Sequence, residues 1–203
     1  AELMGLSLRN VTLTVYDGDK PIFSEFGEML FTHFGVSGPL VLSASSHIRD
    51  MKPNRYHLAI DLKPALDSEQ LDARIQRDFA ENLNRDFING IRKLLPAKLI
   101  PVITRLSGIP EEQKINSVTK EQRRRFGELI KAFPVRVSGF RPIDEAIVTS
   151  GGILVREIDP HTMESKLVRG LFFAGEVIDV DAYTGGFNLQ IAFSTAYSAA
   201  LYM

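Results

Sequence analysis

Gly170-Leu171-Phe172-Phe173-Ala174-Gly175-Glu176, followed by Asp179-Val180-Asp181-Ala182-Tyr183-Thr184-Gly185-Gly186-Phe187-Asn188-Leu189-Gln190, sets a short apolar run ahead of a glycine-rich loop. A continuous apolar run of this kind predicts a strand buried on both faces of a parallel sheet. Ligands of open α/β sheets bind beyond the carboxyl ends of such strands, which is where Gly175 and Glu176 fall. An Asp- and Gly-rich loop comes next and launches a helix from about Gly186. That helix carries Ile191, Phe193, Tyr197 and Leu201 among many small residues. Upstream, Ile147-Val148-Thr149 and Ile153-Leu154-Val155 flank the pair Gly151-Gly152. Glycines in this order let backbone approach a large planar, phosphate-bearing cofactor, because no Cβ atoms hold the ligand away. No glycines have the Gly-x-Gly-x-x-Gly spacing that grips a dinucleotide pyrophosphate.

Residues 1–66 read with a period of two. Leu6 and Leu8, then Val11, Leu13 and Val15, alternate with polar residues, and the slip at Asn10 predicts a bulge. Asp17-Gly18-Asp19 signals a hairpin turn, with the return strand from Ile22 to Phe31. Gly35-Val36-Ser37-Gly38-Pro39 introduces a short apolar helix, and Tyr56, Leu58, Ile60 and Leu62 alternate as a further strand. Over residues 67–133 the period becomes helical. Leu71, Ile75, Phe79 and Leu83 form one face behind a capping Ser68. Pro96 is expected to begin a second helix that Gly108 ends. Thr119-Lys120-Glu121-Gln122 is a capping box for a third, with Phe126, Leu129, Ile130 and Phe133 inward. Strand pattern resumes at 134–142. The expected domains are therefore a β-rich module (1–66 and 134–142), a helical insertion (67–133) and a C-terminal segment (143–203).

The composition is that of an ordinary globular chain: 203 residues, 44% hydrophobic, 24% charged. A net charge of −1 gives no global reason to expect nucleic acid as a partner, and no apolar run approaches the ~20 residues that span a bilayer. With no cysteine there is no disulfide frame, thiolate metal site or cysteine nucleophile, and a cytoplasmic location is expected. Ala1 opens the chain and Met203 closes it inside a helical pattern, so both ends read as cuts in a longer protein.

The motifs of the third segment, together with Thr149-Ser150-Gly151-Gly152, Thr162-Met163-Glu164-Ser165-Lys166 and Gly27-Glu28-Met29-Leu30-Phe31-Thr32-His33-Phe34-Gly35-Val36-Ser37-Gly38-Pro39, resemble the conserved flavoproteins of the BaiN/YhiN type. That family includes proteins described as aminoacetone oxidases and bile-acid dehydro-intermediate reductases. The resemblance implies a mixed α+β and α/β fold: a β-barrel-like insert module with a helical insertion, then the C-terminal part of an FAD-binding Rossmann-like domain. The Rossmann half that carries the phosphate turn is expected to lie outside this chain. The resemblance further implies an FAD-dependent oxidoreductase as the full-length protein, with a small-molecule substrate and NAD(P)H as a candidate partner. This fragment on its own is expected to be inactive and free of FAD. Self-association through the incomplete sheet is a further expectation, and neither nucleic acid nor membrane is expected as a partner.

The expected cofactor-binding residues are Gly151, Gly152, Gly175, Glu176, Asp179, Gly185, Gly186, Phe187, Asn188 and Leu189. The helix starting near Asn188 presents unpaired N–H groups and the positive end of its dipole. Such an end commonly faces the flavin edge where reduction places negative charge, and Asn188 either caps the helix or bonds the ring. Glu176 and Asp179 either accept hydrogen bonds from the ribityl chain or are ordinary loop carboxylates. Asp179 and Asp181 lack a third ligand, so no metal is assigned. No catalytic residue is assigned; His33 is the candidate as a proton donor, beside the plainer reading in which it ties its loop to backbone. His47, His57 and His161 show no clustering in the sequence, and Tyr183 reads equally as a pocket wall or as packing. Arg123-Arg124-Arg125 fan around their helix between Glu121 and Glu128, which favours a solvated face over a nucleic-acid stripe. The alternative to the oxidoreductase is a noncatalytic partner-binding module that keeps the flavoprotein fold.

Overall fold

The computed structural model describes residues 2–52 and 54–203, as two units: one built from 1–41 and 52–138, the other from 42–51 and 139–203. In the first unit, β1 (Ser7–Asp17) and β2 (Lys20–Phe31) form a hairpin across Gly18 and Asp19. With β3 (Val36–Ser37), β4 (Tyr56–Asp61) and β5 (Phe133–Arg136) they make a five-stranded antiparallel sheet, ordered β3-β2-β1-β4-β5, that curls as a half-barrel.

The phase slip in β1 is a real bulge. Leu8 pairs with Met29 and Val11 with Gly27, so three steps along β1 meet two along β2. The extra residue returns Val11, Leu13 and Val15 to the buried face already occupied by Leu6 and Leu8. Gly38 has φ +101°, and a Cβ there would stand 3.1 Å from the Met29 Cα. Only glycine suits this entry to α1 (Pro39–Ser45).

The helical insertion contains α2 (Ser68–Ala80), α3 (Phe87–Gly90), α4 (Leu99–Ser107) and α5 (Lys120–Lys131). Three expectations need correction. The cap of α2 is Asp67, not Ser68: its carboxylate accepts from the Gln70 N–H while the Gln70 amide oxygen accepts from the Asp67 N–H. Because α2 ends at Ala80, Leu83 leaves the apolar face and is exposed. Pro96 precedes a turn, and α4 starts at Leu99; Gly108 then ends it in the left-handed conformation as expected. α5 opens on the Thr119–Gln122 capping box read from the sequence. Its Phe126 packs edge-on against Phe87 at 5.2 Å, and both rings are fully buried. The three consecutive arginines are spent on carboxylates: Arg123 on Asp72, Arg124 on Glu121 and Glu128, and Arg125 on Glu121.

The second unit departs most from expectation. Leu171-Phe172-Phe173-Ala174 is not a buried strand. Phe172 makes a single antiparallel bridge with Glu164, and Leu171 is 42% exposed. The segment is hydrogen-bonded on one side only among the described pairings, Ser165 N–H to Leu171 O at 2.7 Å and Phe173 N–H to Met163 O at 3.0 Å, whereas burial on both faces takes strands on both sides and two covering layers. A small core of Ile158, Met163, Ile178 and Ala199, flanked by Ile153, Phe172, Phe173 and Ala174, holds the unit against α6 (Phe187–Tyr202). Among the described residues no helix is long and apolar enough to cross a membrane.

Candidate functional site

The expected glycine residues all lie in the second unit. Ile153 and Ile178 form a parallel bridge: the Ile153 N–H donates to Val177 O at 2.8 Å, and the Asp179 N–H to Ile153 O at 2.9 Å. This pairing brings backbone so close that a Cβ on Gly152 would lie 2.3 Å from Val177 O. Gly152 therefore serves chain-to-chain approach. Gly151, with φ +106°, has open space beside its Cα, and its N–H donates to Asp179 Oδ1 at 3.0 Å. Asp179 is thus placed as a brace of the Gly151 turn.

Gly175, at φ +76°, also borders open space, and its N–H donates to Thr195 Oγ1 at 3.0 Å. The same hydroxyl donates back to Ile191 O at 2.8 Å, which ties the 175–177 turn to α6. Glu176 is exposed.

The start of α6 is the most distinctive part. Gly185 (φ +113°) and Gly186 (φ +91°) turn the chain into the helix, and no side chain caps it. The first intrahelical bond runs from the Gln190 N–H to Gly186 O. The three N–H groups before it, on Phe187, Asn188 and Leu189, form the positive end of a 16-residue helix. Asn188 neither caps this helix nor leaves its amide free: Oδ1 accepts from the Ala182 N–H at 2.8 Å, and Nδ2 donates to Ala182 O at 2.9 Å. It closes the 182–188 loop that delivers the glycines.

A second constellation lies in this unit and had no sequence signal, since its members are far apart in the chain. His47 Nε2 stands 2.6 Å from Tyr183 Oη. Arg49 donates to Ser150 Oγ at 2.9 Å and approaches Asp181 at 3.6 Å. Asp181 is accordingly a partner of Arg49 rather than of Asp179, and among the described residues no group of three or more metal-type ligands occurs. His161, likewise unclustered in sequence, meets Tyr202 Oη at 2.6 Å. Asp159 accepts the His161 and Thr162 N–H groups, and those two bonds hold its carboxyl below the usual carboxylate range. His33 lies in the other unit, exposed in the turn after β2 with its ring edge-on to Phe34 at 5.0 Å; Thr32 and Gly35 close that turn.

Residues 1–148 match the family model described as the HI0933-like protein barrel and H2TH domain. This chain belongs to the HI0933/BaiN-type flavoprotein family. Family relatives extend the similarity through the glycine loops and α6. A ribosomal RNA dihydrouridine synthase of Haemophilus influenzae is 33% identical over 199 residues, which cover 98% of this chain and 46% of the relative. The Escherichia coli protein of the same name is 32% identical over 198 residues, with the same coverage. A 3-dehydro-bile acid delta(4,6)-reductase of Clostridium scindens is 29% identical over 191 residues, covering 90% and 45%. This HI0933-family chain spans about half the length of the curated relatives it matches.

Proposed function

We propose that this chain supplies the flavin-ring side of an FAD site, together with a substrate-side module, to an FAD-dependent oxidoreductase. The start of α6 carries the reading: an uncapped helix N-terminus entered through two glycines at positive φ, in the same unit as the open-faced Gly151 and Gly175. In this reading residues 143–203 are the C-terminal segment of a Rossmann-like FAD domain. Residues 1–66 and 134–142 are the β-rich module, and 67–133 its helical insertion. In this reading the phosphate-gripping turn is supplied by sequence outside this chain. Bound FAD supplies the hydride chemistry, and the protein orients and tunes it. Gly185 and Gly186 make room for a planar ring, and the N–H groups of Phe187, Asn188 and Leu189 favour negative charge beside it. Glu176 offers acceptors to ribityl hydroxyls. Gly152, Asp179 and Asn188 act as positioning residues, because their contacts are with the protein itself. His33 is the candidate proton donor.

The substrate class follows from chemistry common to the relatives' names. Forming dihydrouridine and reducing a 3-dehydro steroid diene both add hydrogen across a C=C bond conjugated with a carbonyl. We propose that the full-length protein reduces such a bond, in a small molecule or in a nucleobase, with NAD(P)H as electron source. The test is the absorption spectrum of the purified full-length protein. Flavin retained through gel filtration, and lost in Gly186→Val, is the expected result. A colourless full-length protein would instead favour a noncatalytic partner-binding module. The 203-residue chain expressed alone is expected to be colourless.

A further inference from the structure

An open cleft of ≈ 280 Å³ in the helical insertion is lined by Asn84, Arg85, Asp86, Asn89, Arg92 and Lys114. Its two walls are fixed to each other by backbone. Asp86 and Lys114 form an antiparallel bridge; the Phe87 N–H donates to Gln113 O at 2.8 Å, and the Ile115 N–H to Arg85 O at 3.0 Å. Directly behind them Phe87 and Ile115 are buried. The rim side chains reach solvent, but the Cα atoms that carry them are held by the core.

The lining is net positive, with Arg85, Arg92 and Lys114 against Asp86. Lys114 Nζ lies 2.6 Å from Asp86 Oδ1, which neutralises the one acid lining the cleft. Among the described residues, Arg85 and Arg92 have neither an ion-pair nor a side-chain hydrogen-bond partner. This is the reverse of Arg123-Arg124-Arg125, where each guanidinium is matched by a carboxylate. Two unmatched guanidinium forks and two neutral amides, Asn84 and Asn89, therefore share one concave surface. Guanidinium forks bind phosphate oxygens bidentately, and amides bond phosphate or ribose hydroxyls.

We infer that this cleft grips the phosphodiester backbone of an RNA, so that the helical insertion carries the nucleic-acid contact of the protein. The choice of RNA over another polyanion rests on the proposed function, in which a nucleobase is one of the two substrate classes. The net charge of −1, which argued against nucleic acid, averages over the whole chain and hides this local excess.

The test uses the full-length protein and a fluorescein-labelled RNA hairpin, with anisotropy read over a range of salt concentrations. The double variant Arg85→Gln/Arg92→Gln is expected to weaken binding roughly tenfold or more, and to shallow the log–log salt dependence by about 1–2. Arg85→Lys/Arg92→Lys, which keeps the charge but loses the fork, should fall in between, and Arg124→Gln should change neither quantity. Unchanged affinity and slope in the Gln double variant, with an unaltered unfolding midpoint, overturns the inference. So does displacement of the hairpin by millimolar inorganic phosphate at constant ionic strength, which marks a site for a lone phosphate group. Flavin content is measured alongside: a flavin-free protein whose RNA affinity still falls in the double variant sinks the oxidoreductase reading and supports the cleft.

Discussion

Gly90 shows how little room the helical insertion leaves at a single residue. A Cβ there would lie 2.6 Å from Ile115 Cδ1 and 2.8 Å from its Cγ1, and Ile115 is itself buried. Alanine improves helix propensity by about 1 kcal/mol, but overpacking a filled site costs about 1–3 kcal/mol. Gly90→Ala is therefore expected to lower the urea midpoint, and adding Ile115→Val should recover part of the loss. Strictly additive effects would show that the two atoms do not meet. Asp72 makes a residue-scale prediction in pH. The Arg123 hydrogen bond leads the causes that hold its carboxyl below the usual range, followed on the lowering side by Gln76. A depressed folded pKa contributes stability above the unfolded value of about 3.9 that is lost as pH falls through the folded value. Wild type should thus lose more stability than Asp72→Asn between about pH 5 and pH 3. Parallel acid profiles would remove the pair from the account. None of these contacts was legible in sequence. Composition ranks Asp67 and Ser68 as comparable caps, and only the backbone angles choose Asp67. The His47–Tyr183 pair joins positions 136 residues apart, beyond the reach of any local pattern.

At the scale of elements, reciprocal bonds close both long helices of the insertion, α2 and α5. Thr119→Ala removes an acceptor for the Gln122 N–H and should cost ~1 kcal/mol of stability in a thermal melt, with flavin content of the full-length protein unchanged. An unaltered melt would mean that Gln113, which also bonds Gln122, holds the turn without the cap. Elements stabilised by their own neighbours were readable: the β1 bulge from a slip of one residue, the hairpin from Gly18, and α5 from its box. Elements that depend on distant partners were not. Leu171-Phe172-Phe173-Ala174 has the composition of a core strand, yet composition states what a segment can bury, not whether neighbours arrive to bury it. The glycine loops fall between these cases. Their positions were legible, but the division between glycines that face backbone (Gly152) and those that face open space (Gly151, Gly175, Gly186) needed coordinates.

Across the whole molecule the two units differ in how their apolar surface is covered. The first encloses Leu13, Ile60, Ile75, Phe87, Ile103, Phe126 and Ile130 almost completely. In the second, α6 leaves Phe187, Leu189, Phe193, Tyr197 and Leu201 exposed, with Phe193 at 70% and Tyr197 at 69%. A row of exposed apolar side chains on one helix marks an interaction surface. For the chain alone, hydrogen exchange is expected to show strong protection through β1, β2 and β4 and weak protection from about Ile143 onward. Self-association through the second unit would raise the latter with concentration. Equal protection of both regions, in protein shown by sedimentation to be monomeric, would contradict that expectation. The second unit is also assembled from two pieces of chain, 42–51 and 139–203, with most of the first unit between them. On a ribosome His47 emerges 136 residues ahead of Tyr183, a wait on the order of 10 s at ordinary synthesis rates. During that interval the barrel and its helices can finish folding while the short segment 42–51 stays without its partners. The order of birth thus favours a first unit that is complete before the second can begin to close.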